Sequence, residues 1–256
     1  MAHPVVHFEV AGPDGRQLAD FYSGLLGWQP KPVPGIGYTL VDTCAGAGVN
    51  GGIADSPDGE PSATFYVEAD DLQAVLDKVN LLGGKTQTPI TELPGMVTFA
   101  RFEDLDGLII GLILGPGGQL AAAPGQAAAA TAQPMPGPSA GAGAPADWFE
   151  IAGADPDRSQ RFYAEIFGWQ VSDPGQGYLM VDTGTERGIR GGIAAGQSAT
   201  WATVYARVPD IEDALSRAAE LGGGREYGPV EAGPLRTGAV RDPAGNVLGI
   251  YSRPAG

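Results

Sequence analysis

The sequence predicts an α+β fold built as two tandem copies of one domain, each copy made of two βαβββ units that form a curved mixed sheet around a cavity, and three observations predict it. The first is duplication: Phe8-Glu9-Val10, Phe21-Tyr22 and Leu26-Gly27-Trp28-Gln29 return, in order and 141 positions later, as Phe149-Glu150-Ile151, Phe162-Tyr163 and Phe167-Gly168-Trp169-Gln170. Gly37-Tyr38 and Gly51-Gly52-Ile53 return 140 positions later as Gly177-Tyr178 and Gly191-Gly192-Ile193, so the register drifts only slowly. The second is periodicity, which switches from 2 to 3.6 and back within each copy. The third is a stretch free of charge and rich in Gly, Ala and Pro between the copies, too poor in large apolar side chains to offset its ordering entropy. These bounds give a first domain at 5–114, a linker at 115–146 and a second domain at 147–254.

Val6, Phe8 and Val10 alternate with His7 and Glu9, as in a strand with one buried face. A helix follows, capped by Asp14, striped by Leu18, Phe21, Tyr22 and Leu25, and ended by Gly27 in the left-handed conformation. The second copy repeats these signals with Asp155 as cap, Pro156 at the first helical position, Phe162, Tyr163 and Ile166 on the stripe and Gly168 at the end. Strands are expected near Tyr38 to Asp42 and Asn50 to Ala54. The program then restarts: a strand from Thr64 to Ala69, a helix capped by Asp70 or Asp71 with Leu72, Val75, Leu76 and Val79 on one face, a stop at Gly83-Gly84, and strands near Gly95 to Glu103 and Leu108 to Leu114.

Charge and composition narrow the function. The net charge is −15, with five basic and fifteen acidic residues before the linker and ten and fifteen after it, which repels phosphate backbones and anionic lipid surfaces. No nucleic-acid or membrane partner is expected. The lone Cys44 fits a reducing compartment and is read as a small buried hydrophobe. No basic segment followed by an apolar one opens the chain, and no apolar run reaches about 18 residues, so a cytoplasmic protein is expected.

Four motifs, His7-Phe8-Glu9-Val10, Phe21-Tyr22 with Leu26-Gly27-Trp28, Tyr66-Val67-Glu68-Ala69-Asp70-Asp71-Leu72, and Asp104-Leu105-Asp106-Gly107, together resemble the vicinal oxygen chelate superfamily. That superfamily includes glyoxalase I, fosfomycin and bleomycin resistance proteins and extradiol dioxygenases. The resemblance covers residues 6–114 and 147–252, and Asp242-Pro243-Ala244-Gly245-Asn246 in the second copy is closer to the family form than its twin. It implies that metal-dependent members would place ligands where this chain has His7, Thr64 and Gly111, and Trp148, Thr203 and Gly249. One imidazole with hydroxyls, an indole and glycines is a poor donor set for a divalent transition metal. No metal ligand and no cofactor are therefore expected, a divalent metal on His7, Glu9 and a borrowed residue such as Glu68 being the alternative. His3 is read as solvated.

The remaining residues on the cavity-facing phase are Glu9 and Glu150, Thr64 and Thr203, Tyr66 and Tyr205, and Gly111 and Gly249, with Trp148 and Tyr251 beside them as ligand-binding candidates. Glycine at the last-strand position is expected to leave room for a larger organic ligand. His7, Glu9 and Glu150 are the candidates for chemistry, because desolvation raises a carboxyl toward the range useful for proton transfer. Trp28 and Trp169, just past helix ends, are read as packing residues. The expected function is metal-independent binding of a small hydrophobic or aromatic metabolite, open to a cationic one, for sequestration or biosynthetic tailoring by a monomer built as an intramolecular pseudo-dimer. The alternative is a lyase, isomerase or dioxygenase using His7 and Glu9.

Overall fold

The computed structural model describes residues 2–56, 58–116, 118, 135, 137–175, 177–196 and 200–253. In the first repeat the elements run β1 (Val5–Gly12), α1 (Gly15–Leu26), β2 (Gln29–Val33), β3 (Tyr38–Asp42), β4 (Asn50–Asp55), β5 (Ser62–Ala69), α2 (Leu72–Leu81), β6 (Lys85–Leu93), β7 (Val97–Glu103) and β8 (Ile109–Leu114). The second repeat follows the same plan with β9 (Ala146–Gly153), α3 (Pro156–Phe167), β10 (Gln170–Ser172), β11 (Tyr178–Asp182), β12 (Arg190–Ala195), β13 (Trp201–Arg207), α4 (Ile211–Glu220), β14 (Gly224–Ala232), β15 (Leu235–Arg241) and β16 (Val247–Ser252). Each repeat forms an eight-stranded mixed sheet, in the orders β2-β3-β4-β1-β5-β8-β7-β6 and β10-β11-β12-β9-β13-β16-β15-β14. The fold is α+β, as the periodicity predicts. Among the described residues, no helix is long and apolar enough to cross a membrane.

The helix ends follow from the named caps. The Asp14, Asp71, Asp155 and Asp210 carboxylates each accept a backbone N–H from the first turn of their helix, and Gly27 and Gly168 close α1 and α3 at φ 70° and 69°. The choice left open between Asp70 and Asp71 falls on Asp71. On α1 it is Leu26, not Leu25, that completes the buried stripe with Leu18, Phe21 and Tyr22.

By contact density the described chain forms two compact units, each holding one half of each repeat: residues 1–6, 65–136 and 151–202 in one, and 7–64, 137–150 and 203–256 in the other. In the first unit α2 packs on α3, and Phe102 lies 6.3 Å from both Phe162 and Phe167. Asp104, in the turn before β8, accepts the Tyr163 hydroxyl at 2.7 Å. In the second unit α1 packs on α4, and Asp242, in the turn before β16, accepts the Tyr22 hydroxyl at 2.9 Å.

The tryptophans after α1 and α3 are buried, at 2% and 3% exposure, and each anchors the peptide that leads into the first strand of the other repeat. The Trp28 indole N–H donates to the Ala144 carbonyl at 2.7 Å, and that of Trp169 donates to the His3 carbonyl at 2.8 Å. His3 is not solvated: its Nδ1 is 2.9 Å from the Phe167 carbonyl oxygen and its ring packs against Phe167. Of the stretch 115–146 expected to link the repeats, residues 117, 119–134 and 136 lie outside the described residues. Farther along it, the Ser139 N–H donates to Asp42 and the Ala144 N–H donates to the Leu26 carbonyl.

Candidate functional site

Strand alternation sets which side chains meet. On β13, Ala202, Val204 and Ala206 are buried on one phase, which leaves Thr203 and Tyr205 on the other. Tyr205 pairs in register with Gly249 on the parallel neighbour β16, and a Cβ at Gly249 would overlap the Tyr205 ring. Glycine here lets an aromatic ring lie flat across the next strand. The room expected above Gly249 is filled by the protein itself, and Tyr66 covers Gly111 in the same way. Tyr38 similarly crosses Gly52, and Tyr178 crosses Gly192.

The Tyr205 hydroxyl donates to Oε1 of Glu150, which extends from β9 on the other side of β13, at 2.8 Å. The Tyr227 hydroxyl on β14 stands 2.9 Å from the Tyr205 oxygen, and Thr237 on β15 lies close to Tyr227. Each hydroxyl has one proton and the carboxylate only accepts, so the donors run in one direction, from Tyr227 to Tyr205 to Glu150. Burial, followed by the Glu150 charge, pushes the Tyr205 phenol well above its ordinary value, and burial raises Tyr227. Both phenols are therefore neutral near pH 7. Glu150 and Tyr205 are 7% and 5% exposed, while Tyr227 and Thr237 are half-buried, so the relay has a buried acceptor end and a more accessible donor end.

Sequence reasoning places Glu150, Tyr205 and Gly249 together and misses Tyr227 and Thr237. The pairing of β14 with β15 shifts register on both sides of Tyr227, so alternation cannot assign that residue a face. Two other candidates point elsewhere. Thr203 Oγ1 donates to the Val247 carbonyl at 2.8 Å, and the Tyr251 hydroxyl donates to Asp147 at 2.8 Å. Trp148 is half-buried on β9.

In the first repeat His7 is 3% exposed, with Nε2 3.0 Å from the Tyr38 hydroxyl. Burial lowers its pKa from 6.5 to about 4, so the imidazole is neutral at pH 7. Glu9 and Thr64 are buried at 5% each. The Tyr66 hydroxyl accepts from Arg101 Nε at 2.9 Å, and the guanidinium lies 5.8 Å from the Tyr66 and Phe99 ring centres. Glu68, considered above as a borrowed metal ligand, is instead gripped by both Arg187 nitrogens at 2.5 and 2.6 Å.

Among the described residues no three His, Cys, Asp or Glu side chains come together in a way that would hold a metal ion. At the second repeat's last-strand position glycine offers no donor and Tyr205 covers it, so the residues present do not fit a divalent metal.

A family model described as bleomycin resistance protein-like N-terminal matches residues 148–184, which contain Trp148, Glu150 and α3. The Mn(II)-bound glyoxalase from Novosphingobium aromaticivorans matches 98% of this chain and 82% of its own, with a TM-score of 0.65 and 16% identity. The fold is that of the vicinal oxygen chelate superfamily. Within that superfamily, homoprotocatechuate 2,3-dioxygenase from Arthrobacter globiformis aligns at a TM-score of 0.64 over 98% of this chain and 80% of its own, at 13% identity. At such identities the two structures share the fold alone. The anthracycline biosynthesis protein DauV of Streptomyces sp. (strain C5) is 27% identical over 264 residues, spanning 93% of this chain and 89% of its own.

The cover of Tyr205 over Gly249 is testable. Gly249→Ala should destabilise the protein by about 1–3 kcal/mol through overpacking, net of a smaller gain from the stiffer unfolded chain. It should also loosen the Tyr205 hydroxyl from Glu150. Urea unfolding gives the first quantity, and an unchanged midpoint would place the ring elsewhere.

Proposed function

We propose that this protein of vicinal oxygen chelate fold binds a small aromatic metabolite without a metal and hydrogen-bonds it through the Glu150 relay, for sequestration or biosynthetic tailoring in the cytoplasm. The observation that carries this reading is the directed chain from Tyr227 through Tyr205 to Glu150, with Thr237 close to its donor end. Neutral phenols beside a carboxylate suit ligand hydroxyl and carbonyl groups, and half-buried Trp148 on the same strand suits a flat ring. The likeness to DauV, an anthracycline biosynthesis protein, supports a polycyclic aromatic ligand.

The same relay favours a second reading, in which Glu150 removes a proton next to a ligand carbonyl and the hydroxyl chain carries protons toward Tyr227. His7 suits the alternative site in the first repeat less well as a base, because a conjugate acid with a pKa of about 4 holds a proton weakly at neutral pH.

The test is a thermal-shift and titration screen with anthracyclines and hydroxyanthraquinones, with and without EDTA. Binding should survive chelation, and Glu150→Gln and Tyr227→Phe should each weaken it about tenfold, the loss of a hydrogen bond in a buried network. Binding abolished by EDTA and restored by Mn(II) would overturn the metal-free reading. Unchanged affinity in both variants would remove the relay from the site.

A further inference from the structure

A groove lined by none of the relay residues lies wholly within the unit made of residues 7–64, 137–150 and 203–256. It is an open groove of about 560 Å³, walled by the end of α1 at Leu25, Leu26 and Gly27, by residues 142–145, and by Val208 and Pro209 after β13. That volume is within the range of small-molecule sites. Several polar backbone groups of its walls are already paired: Ala144 N–H with the Leu26 carbonyl, the Ala144 carbonyl with Trp28, the Pro145 carbonyl with the Arg207 N–H, and Val208 N–H with the Tyr251 carbonyl. The exposed wall is therefore somewhat more apolar than polar.

Among the described residues, the charged ones in the lining are Arg207 and Arg253. Arg207 is 3.3 Å from Asp147, which Tyr251 holds in place. Arg253 is exposed and, among the described residues, has no ion pair, so the groove keeps about one uncompensated positive charge in a chain of net charge −15. The scaffold does not require it: the twins of Arg207 and Arg253 in the first repeat are Glu68 and Gly115.

We infer that this groove is a binding site for a small organic monoanion, a carboxylate, sulfonate or phosphate monoester on a flat apolar body. The body lies against Leu25, Leu26, Val208 and Pro209 and the anion meets Arg253 and Arg207. The inference is independent of the relay and goes beyond the function proposed for it.

The test uses the full chain and two fluorescent probes of similar size, the anionic 8-anilinonaphthalene-1-sulfonate and the neutral N-phenyl-1-naphthylamine. The anionic probe should bind more tightly, weaken as NaCl screens the arginines, and lose at least fivefold in affinity in Arg253→Gln while the neutral probe is unaffected. Ala142→Trp, at an exposed position on the groove wall, should displace both probes, with the melting temperature checking that the variant folds. Glu150→Gln and Tyr227→Phe should leave both affinities unchanged, which separates this site from the relay. Unchanged binding of the anionic probe in Arg253→Gln and Ala142→Trp overturns the proposal, as does equal weakening of both probes by Arg253→Gln.

Discussion

Asp242→Ala is expected to cost about 3–5 kcal/mol of stability, the range for removing one partner from a buried, charge-assisted network. The side chain is 3% exposed and closes the turn before β16. Oδ1 accepts the N–H groups of Ala244, Gly245 and Asn246, each at 2.9 Å, and Oδ2 accepts the Tyr22 hydroxyl and Asn246 Nδ2, also at 2.9 Å. Alanine leaves those donors buried or nearly so with no acceptor. Tyr22→Phe removes only one of them and should cost about 1–2 kcal/mol. The twin change, Asp104→Ala, should cost less than Asp242→Ala, because Leu108 stands where the second repeat has Asn246, whose amide also donates to the Ala11 carbonyl. Asp104 accepts from the Asp106 and Leu108 N–H groups and from Tyr163. Urea unfolding with amide hydrogen exchange checks both points: Asp242→Ala should lower protection in residues 7–64 and 203–253 first. Equal costs for Asp242→Ala and Tyr22→Phe would mean that the turn amides find other acceptors.

These turns also show what a sequence carries and where it goes silent. The motif Asp-Pro-Ala-Gly-Asn announces a tight turn, since Asp bonds the backbone two residues on and Gly245 takes φ 104°. It does not announce that a tyrosine far along the chain docks on the same carboxylate. The caps, the helical stripes and the buried strands were legible because each depends on neighbours within a few residues. The edge strands β2 and β6 were not. Pro30 and Pro32 in β2 and Pro89 in β6 read as breakers, yet both strands lie at sheet edges, where a missing N–H breaks no ladder.

The candidate site divides along the same line. Glu150, Tyr205 and Gly249 could be aligned because each has a twin on a regular strand. Tyr227 sits between two register shifts, and its twin is Thr88, so neither alternation nor duplication marks it. The glycines at 111 and 249 were correctly seen as places without a side chain, but the use of that space is a tertiary fact. A large ring on the neighbouring strand takes it before any ligand can. Glu68 has a similar history: in phase for a cavity role, it is held by Arg187 from the other repeat.

His7 should make the folded state sensitive to mild acid. In the unfolded chain its pKa is 6.5, and in the folded protein burial holds it near 4, so between these values the unfolded state binds the proton and the folded state does not. Stability from this residue is therefore unchanged above about pH 7 and falls as pH drops through 6.5. By pH 5 the loss should be about 2 kcal/mol, and it should level off at about 3 kcal/mol below pH 4. Other groups titrate near the lower end of that window, so the informative quantity is a difference. Wild type should lose more stability than His7→Gln between pH 7.5 and 5, because glutamine keeps a hydrogen-bonding group near Tyr38 and does not titrate. Parallel curves would show that His7 takes up its proton in the folded state as readily as in the unfolded one. That outcome would give the imidazole a pKa near neutrality and restore His7 as an acid–base group for the first repeat. A steep wild-type curve leaves it a neutral partner of Tyr38 at pH 7, with no proton to give in the first repeat.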